Sequence, residues 1–291
     1  MLQPPLSLVS NDLLGYIVES IAGLPFADEN LYNLSLADRA FTQFCQKYIF
    51  RELRLWDSPD IPKRLKKMKK ILDDKPLFAN QVRMIDLYIS RNDSAWLFED
   101  RTFISLLQLF AKSPMPPYQL ELSGGSVFPL TFEDPILVVR QLTQSFFSHT
   151  LTILRLKFAG VPLTLFLAFP KLRKLDLDVV KVVEKSYGNY PDNQCSGREA
   201  PQLEFLVYRN SHSIVQQLLT PPPRFKTPVV LWSKLRVLTL TPHEKEEIAC
   251  LQPILDAACF TLEELYLTDI NINDCRWIVF LITRSEFDQV S

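Results

Sequence analysis

The chain has 291 residues, 47% hydrophobic and 22% charged, with a formal net charge of -1. That is apolar enough for a large core, too weakly charged for disorder, and without global attraction for nucleic acid or an anionic membrane. Only 7 Gly stand against 21 Pro, which argues against glycine-rich phosphate loops and punctuates many segment ends.

Cysteines at 45, 195, 250, 259 and 275 form no C-x-x-C pair, and the odd count suits free thiols in a reducing compartment. Residues 1–11 lack the basic and apolar regions of a secretory leader, so the sequons Asn33-Leu34-Ser35 and Asn92-Asp93-Ser94 read as chance matches. The apolar stretches 161–169 and 277–283 fall short of the roughly 20 residues a bilayer span needs. The expectation is a protein of the cytoplasm or nucleus with no membrane partner.

Three short helices are predicted first. Ser10 or Asn11 can cap the first, with Asp12 in its first turn and Leu13, Leu14, Ile17 and Ile21 at helical spacing. Gly23 and Pro25 end it. Asp28 or Asn30 can open a second helix, bearing Leu31, Leu34 and Ala37. A third carries Phe41, Phe44, Tyr48 and Phe50 and runs into the strand-like Leu53-Arg54-Leu55. So small a unit forms a poor independent core, and its surplus apolar surface suits either docking or capping the remainder of the chain.

A repeat takes over from there. Val82, Ile85 and Leu87 form an early copy, and Leu120 and Leu122 a weaker one with Pro117 in the first place. The hexad Leu-x-x-Leu-x-Leu then starts at 151, 172, 235 and 262, with a near copy, Leu203, Leu206 and Tyr208, between the second and third. Helical stripes lie between: Ile61, Leu65, Met68 and Leu72; Phe103, Leu107 and Phe110; Val139, Leu142 and Phe146; Ile214, Leu218 and Leu219. A last one, Ile248, Leu251, Leu255 and Ala258, is bent or restarted at Pro253.

Alternate strand residues share a face, so the fourth and sixth hexad positions enter a core and the third and fifth point out. The outward pairs are Ile153 and Arg155, Lys174 and Asp176, Phe205 and Val207, Val237 and Thr239, Glu264 and Tyr266, with Met84, Asp86 and Tyr88 extending the row. Because one unit cannot bury its own leucines, neighbours must stack. The expected fold class is α/β: a three-helix segment over 1–55, then a solenoid over 56–291 with a concave parallel sheet and convex helices. Residues 185–201 read as an exposed loop, and the proline-rich 221–228 as a stiff connection. Nothing after the apolar segment 277–282 supplies a closing strand or polar cap, so the end of the array is expected to be open.

The hexad resembles that of irregular leucine-rich repeats over about residues 80–285. Ala159, Val180, Ser211, His243 and Ile270 stand where that family has asparagine, which removes the basis for an asparagine ladder. Such a solenoid binds on its concave face, making Arg155, Lys174, Asp176, Phe205, Val207 and Tyr266 the candidate substrate contacts, unless loops cover them.

Residues 9–19, Val-Ser-Asn-Asp-Leu-Leu-Gly-Tyr-Ile-Val-Glu, resemble the opening helix of an F-box, and residues 34–41, Leu-Ser-Leu-Ala-Asp-Arg-Ala-Phe, its second signature. Residues 48–55 are similar to the exit strand of fungal F-box-like proteins with leucine-rich repeats. Ser10 replaces the usual Pro and Asp38 the usual Cys. The resemblance implies a subunit of a cullin-type (SCF) ubiquitin ligase. Its N-terminal helices would bind the Skp adaptor while the repeats hold a protein substrate, contributing proximity rather than bond-making. It implies Val9, Leu13, Leu14, Ile17, Leu31, Leu34, Leu36 and Phe41 as adaptor-facing or interface-supporting, although some must hold the three helices together. A repeat scaffold without a ubiquitin role is the alternative.

No motif asks for catalysis or a cofactor. His149, His212 and His243 lack ligand spacing, Ser211-His212-Ser213 lacks a G-x-S-x-G elbow, and neither glycine-rich nucleotide motif occurs. The basic run 63–70 keeps its apolar residues at helical spacing, so it reads as the wet face of a repeat helix rather than a phosphate or import site.

Overall fold

The computed structural model describes residues 10–89, 96–125, 130–131, 147–183, 199–221, 228–242, 248–270 and 277–283. Val9, the stripe at 139–146 and most of the segments 185–201 and 221–228 lie outside them. Three helices come first: α1 (Asn11–Ala22), α2 (Ala27–Ala37) and α3 (Arg39–Ile49). Ser10 caps α1, its Oγ accepting from the Leu13 N–H at 3.3 Å. Asp38 caps α3, its Oδ1 accepting from the Ala40 N–H at 2.7 Å. Both residues that depart from the F-box pattern thus satisfy donors that a helix start leaves orphaned.

The start of α2 differs from the expectation. Neither Asp28 nor Asn30 caps it; Phe26 precedes it in the left-handed region, at φ 60 and ψ 29, with no side-chain cap. Left-handed backbone turns the chain sharply here, at a cost of roughly 1–2 kcal/mol for a residue with a Cβ. Asp28 and Glu29 fall in the first turn instead, where the helix dipole favours them.

The strands are β1 (Glu52–Trp56), β2 (Met84–Ile89), β3 (Gln119–Gly124), the short β4 (Leu130–Thr131), β5 (Ile153–Val161), β6 (Lys174–Val182), β7 (Phe205–Arg209), β8 (Val237–Thr241), β9 (Glu264–Ile270) and β10 (Trp277–Thr283). Leaving out β4, which pairs with the end of β5, they lie in sequence order in a single sheet. The eight from β1 to β9 are parallel. The connections carry α4 (Ile61–Asp74), α5 (Trp96–Glu99), α6 (Arg101–Ala111), α7 (Phe147–Thr150), α8 (His212–Leu219) and α9 (Leu251–Ala258). This arrangement is compatible with a solenoid-like α/β fold.

The hexads explain the order. Leu154, Leu156, Leu175, Leu177, Leu206, Tyr208, Leu238 and Leu240 are all fully buried, and each Leu at the first position is buried too. One continuous core runs from Leu55 to Leu265, while Leu14, Val18, Leu31, Phe41 and Cys45 form a separate core among α1, α2 and α3. Between β5 and β6 the connection is short, and a 3-10 segment, Leu163–Ala168, replaces the helix with every residue buried. Pro253 sits in the first turn of α9, where its missing N–H breaks no helical bond. The segment 277–283 is itself a strand, antiparallel to β9, so the array does not stop at its last hexad. Trp277, Ile278, Val279 and Phe280 are residue types that favour a pleated edge, even without a hexad, and the stretch after Thr283, where no closing strand or cap is expected, lies outside the described residues.

The missing asparagines are replaced by backbone. Phe158, Val179 and Asn210 each have positive φ, and they follow the registered residues Lys157, Asp178 and Arg209. Each strand therefore turns at the same level. After the turn β5 and β6 pair again, Ala159 with Val180 and Val161 with Val182, so those strands supply their own bonds where a ladder would run. One unit on, β7 has ended, and the buried Ser211 takes over: its Oγ accepts from the Val180 N–H at 2.9 Å and donates to the Arg209 carbonyl at 2.8 Å. Ser211→Ala is expected to cost about 1–3 kcal/mol in urea unfolding, the penalty of an orphaned buried amide. A loss below about 0.5 kcal/mol would contradict this role.

Candidate protein-interaction surfaces

Parallel pairing sets the outward residues in three rows across eight strands. The first reads Glu52, Met84, Gln119, Ile153, Lys174, Phe205, Val237 and Glu264. The second reads Arg54, Asp86, Glu121, Arg155, Asp176, Val207, Thr239 and Tyr266. The third begins with Trp56, Tyr88, Ser123, Lys157, Asp178, Arg209 and Thr241. All six candidate substrate contacts lie on this face. Lys174 and Phe205 are neighbours in the first row; Arg155, Asp176 and Val207 are consecutive in the second, with Tyr266 two strands further on. All six are half-buried rather than covered.

The face divides chemically. From β1 to β7 the second and third rows carry a lattice of ion pairs. Glu121, 7% exposed, accepts from Lys157 Nζ at 2.6 Å and lies 3.6 Å from an Arg155 nitrogen. Arg155 also lies 3.6 Å from Asp176, and Arg209 binds Asp178. Burial raises the Asp176 carboxyl above its usual range, and Arg155, Lys157 and Lys174 pull it back. From β7 to β9 the first two rows turn to Phe205, Val207, Val237, Thr239 and Tyr266, with Glu264 closing the first. The Tyr266 hydroxyl donates to Glu264 at 2.7 Å, fixing its ring. An apolar half beside a charge-matched half suits a partner that buries side chains on one side and is oriented by charge on the other.

Asp86 is the strained member of the lattice. Burial first, then Glu121 and Glu52, raise its pKa to about 6, against the opposing pull of Arg54 and Lys157. Because the folded-state value lies above the unfolded one, its contribution to stability is fullest below pH 4 and is lost as pH rises through about 6. Asp86→Asn is therefore expected to melt higher than the parent at pH 7.5, with the gap closing toward pH 4. An equal gap at both values would contradict this assignment.

The N-terminal helices sort the candidate adaptor set. Leu14, Leu31 and Phe41 are buried in the three-helix core, and Ile17 and Leu34 are half-buried against it. Leu13 and Leu36 are 51% and 69% exposed. Sequence reasoning missed several exposed aromatics here: Tyr16, one turn from Leu13; Tyr32, one turn before Leu36; and Phe26 in the turn between α1 and α2. Their helical offsets from Leu14, Val18 and Leu31 were the available signal. The helices dock on the first repeat through stacked Phe50 and Phe78, centroids 4.2 Å apart, and through Arg54, 3.0 Å from Asp28.

The basic run forms the exposed face of α4, whose Ile61, Leu65 and Leu72 are buried; Lys63 and Lys69 pair with Asp60 and Asp73. Among the described residues no group of three or more His, Cys, Asp or Glu is placed to hold a metal ion. Among them, too, no helix is long and apolar enough to cross a membrane.

Neither a family model nor a curated protein matches this chain. What these surfaces do therefore rests on their own geometry. They offer exposed apolar residues on α1 and α2 and a broad mixed face on the sheet.

Proposed function

We propose that this chain is the substrate-recruiting subunit of a cullin-type (SCF) ubiquitin ligase. The exposed face of α1 and α2 docks the Skp adaptor. The array of strands acts as a leucine-rich-repeat solenoid whose concave sheet face holds a protein substrate. One observation supports this most: the three-helix unit has its own closed core yet leaves Leu13, Tyr16, Tyr32 and Leu36 exposed, on the end of an array whose sheet face is separately open. Two separate faces on one chain are what a recruiter needs, because its effect is to raise effective concentration. The chain would need no catalytic group or cofactor and would work in the cytoplasm or nucleus, with no nucleic-acid or membrane partner.

On the substrate side, Phe205, Val207 and Tyr266 supply the apolar anchor, and Arg155, Lys174 and Asp176 set register by charge. Co-expression with the Skp adaptor and the cullin is the test. A stable complex that ubiquitinates bound proteins supports the reading, whereas a folded chain that recovers partners with no cullin present leaves only a repeat scaffold.

A further inference from the structure

A third feature is the free edge of β1. The Arg51 carbonyl accepts from the Met84 N–H at 3.1 Å, and the Asp57 N–H donates to the Tyr88 carbonyl at 2.8 Å. In a parallel pair the groups facing the partner alternate, so residues 51, 53, 55 and 57 bond to β2. The N–H and C=O groups of Glu52, Arg54 and Trp56 consequently point the other way. Among the described residues these outward groups have no backbone partner. Natural sheets seldom leave such an edge open, because it is a template for another strand.

This edge opens onto a cleft of about 790 Å³ between the helical unit and the first repeat. Leu31, Ile49, Met68 and Ile71 give it apolar walls. The charges are unbalanced. Its acidic liners Asp28 and Glu52 are both held by Arg54, at 3.0 and 2.7 Å. Of its other basic liners, Arg51, Arg64 and Lys67 make no ion pair among the described residues, and Arg83 binds backbone carbonyls.

We propose that this edge and cleft form a strand-addition site for an extended peptide segment of another protein, one whose helix-facing side chains, at every second position, are apolar and acidic in turn. The peptide backbone bonds to Glu52, Arg54 and Trp56, its apolar side chains fill the wall between α3 and α4, and its carboxylates meet Arg64 and Lys67. Main-chain bonds supply affinity in this mode and alternate side chains supply selectivity. The site borders the open sheet face, whose rows begin with Glu52, Arg54 and Trp56, but uses their backbone edge rather than that face, and it does not rest on the ligase reading.

Fluorescence anisotropy on the full chain tests it, using a labelled peptide of repeating Val-Thr-Glu-Thr, which puts Val and Glu on one face, and a second of repeating Val-Thr-Lys-Thr. The Glu peptide is expected to bind about tenfold or more tightly than the Lys peptide, and Arg64→Glu with Lys67→Glu to reverse that order. Arg54→Pro removes an outward N–H without touching the β1–β2 ladder, and Arg54→Ala removes only the side chain. The Pro variant is expected to bind about tenfold or more weakly than the Ala variant, with both equally folded by circular dichroism. Equal binding by these two, or no preference between peptides, overturns the proposal. So does concentration-dependent dimerisation abolished by Arg54→Pro, which would give the edge to a second copy. A gain in peptide affinity on deleting residues 1–9 would give it to the chain's own start.

Discussion

Leu13→Asp together with Leu36→Asp is expected to weaken Skp adaptor binding by about a hundredfold or more while leaving the melting temperature of the chain unchanged. The two side chains are among the most exposed aliphatic groups in the three-helix unit, so removing them leaves no cavity. A charge at the centre of an apolar contact must be desolvated without a partner, which is why the loss is large. The contrast lies one residue away. Leu14→Asp puts the same charge into the closed core with Val18, Leu31 and Cys45, so it is expected to unfold the helices and lose binding only through misfolding. Titration calorimetry beside circular dichroism separates the two cases. If Leu13→Asp with Leu36→Asp binds like the parent, the apolar stripe is not the docking face.

The second large effect is on stability. Leu206→Ala is expected to cost about 2–5 kcal/mol in urea unfolding, because Leu206 is fully buried and its cavity cannot collapse. Its register neighbours are Leu175 and Leu238, themselves fully buried, so the cavity opens in the middle of the array rather than at an end. Stability in a stacked array is a sum of neighbouring interfaces, so the damage is expected first in hydrogen exchange of β6, β7 and β8. Val207→Ala, one residue along on the half-open face, is expected to cost less than about 1 kcal/mol. Similar losses from the two substitutions would contradict the assignment of faces.

The hexads make most of the strand array legible. A period of two fixes which face each residue takes, and the leucines at the first, fourth and sixth positions mark where each strand begins. The same logic places all six candidate substrate contacts on one face. It does not pair Arg155 with Glu121 and Asp176, since lateral neighbours depend on a register that insertions between hexads conceal. Ser211 shows in the sequence only as a departure from asparagine, because its bond to Val180 crosses into the preceding unit. The strand at 277–283 looks like an apolar tail in the sequence because it runs antiparallel and carries no hexad. For the helices, periodicity identifies an apolar stripe wider than one face. It cannot divide Leu13 from Leu14, adjacent residues with opposite fates, because packing against α3 decides between them. The free edge of β1 has no sequence signature, because it depends on which of its backbone groups are already taken.

Hydrogen exchange on the full chain, alone and saturated with the Skp adaptor, tests the ligase reading most directly. Slowed exchange in α1, α2 and the turn around Phe26, with β7, β8 and β9 unchanged, is the expected result: the adaptor takes one face and leaves the sheet free for substrate. Protection centred on the sheet strands, or no protection in any segment, would contradict it.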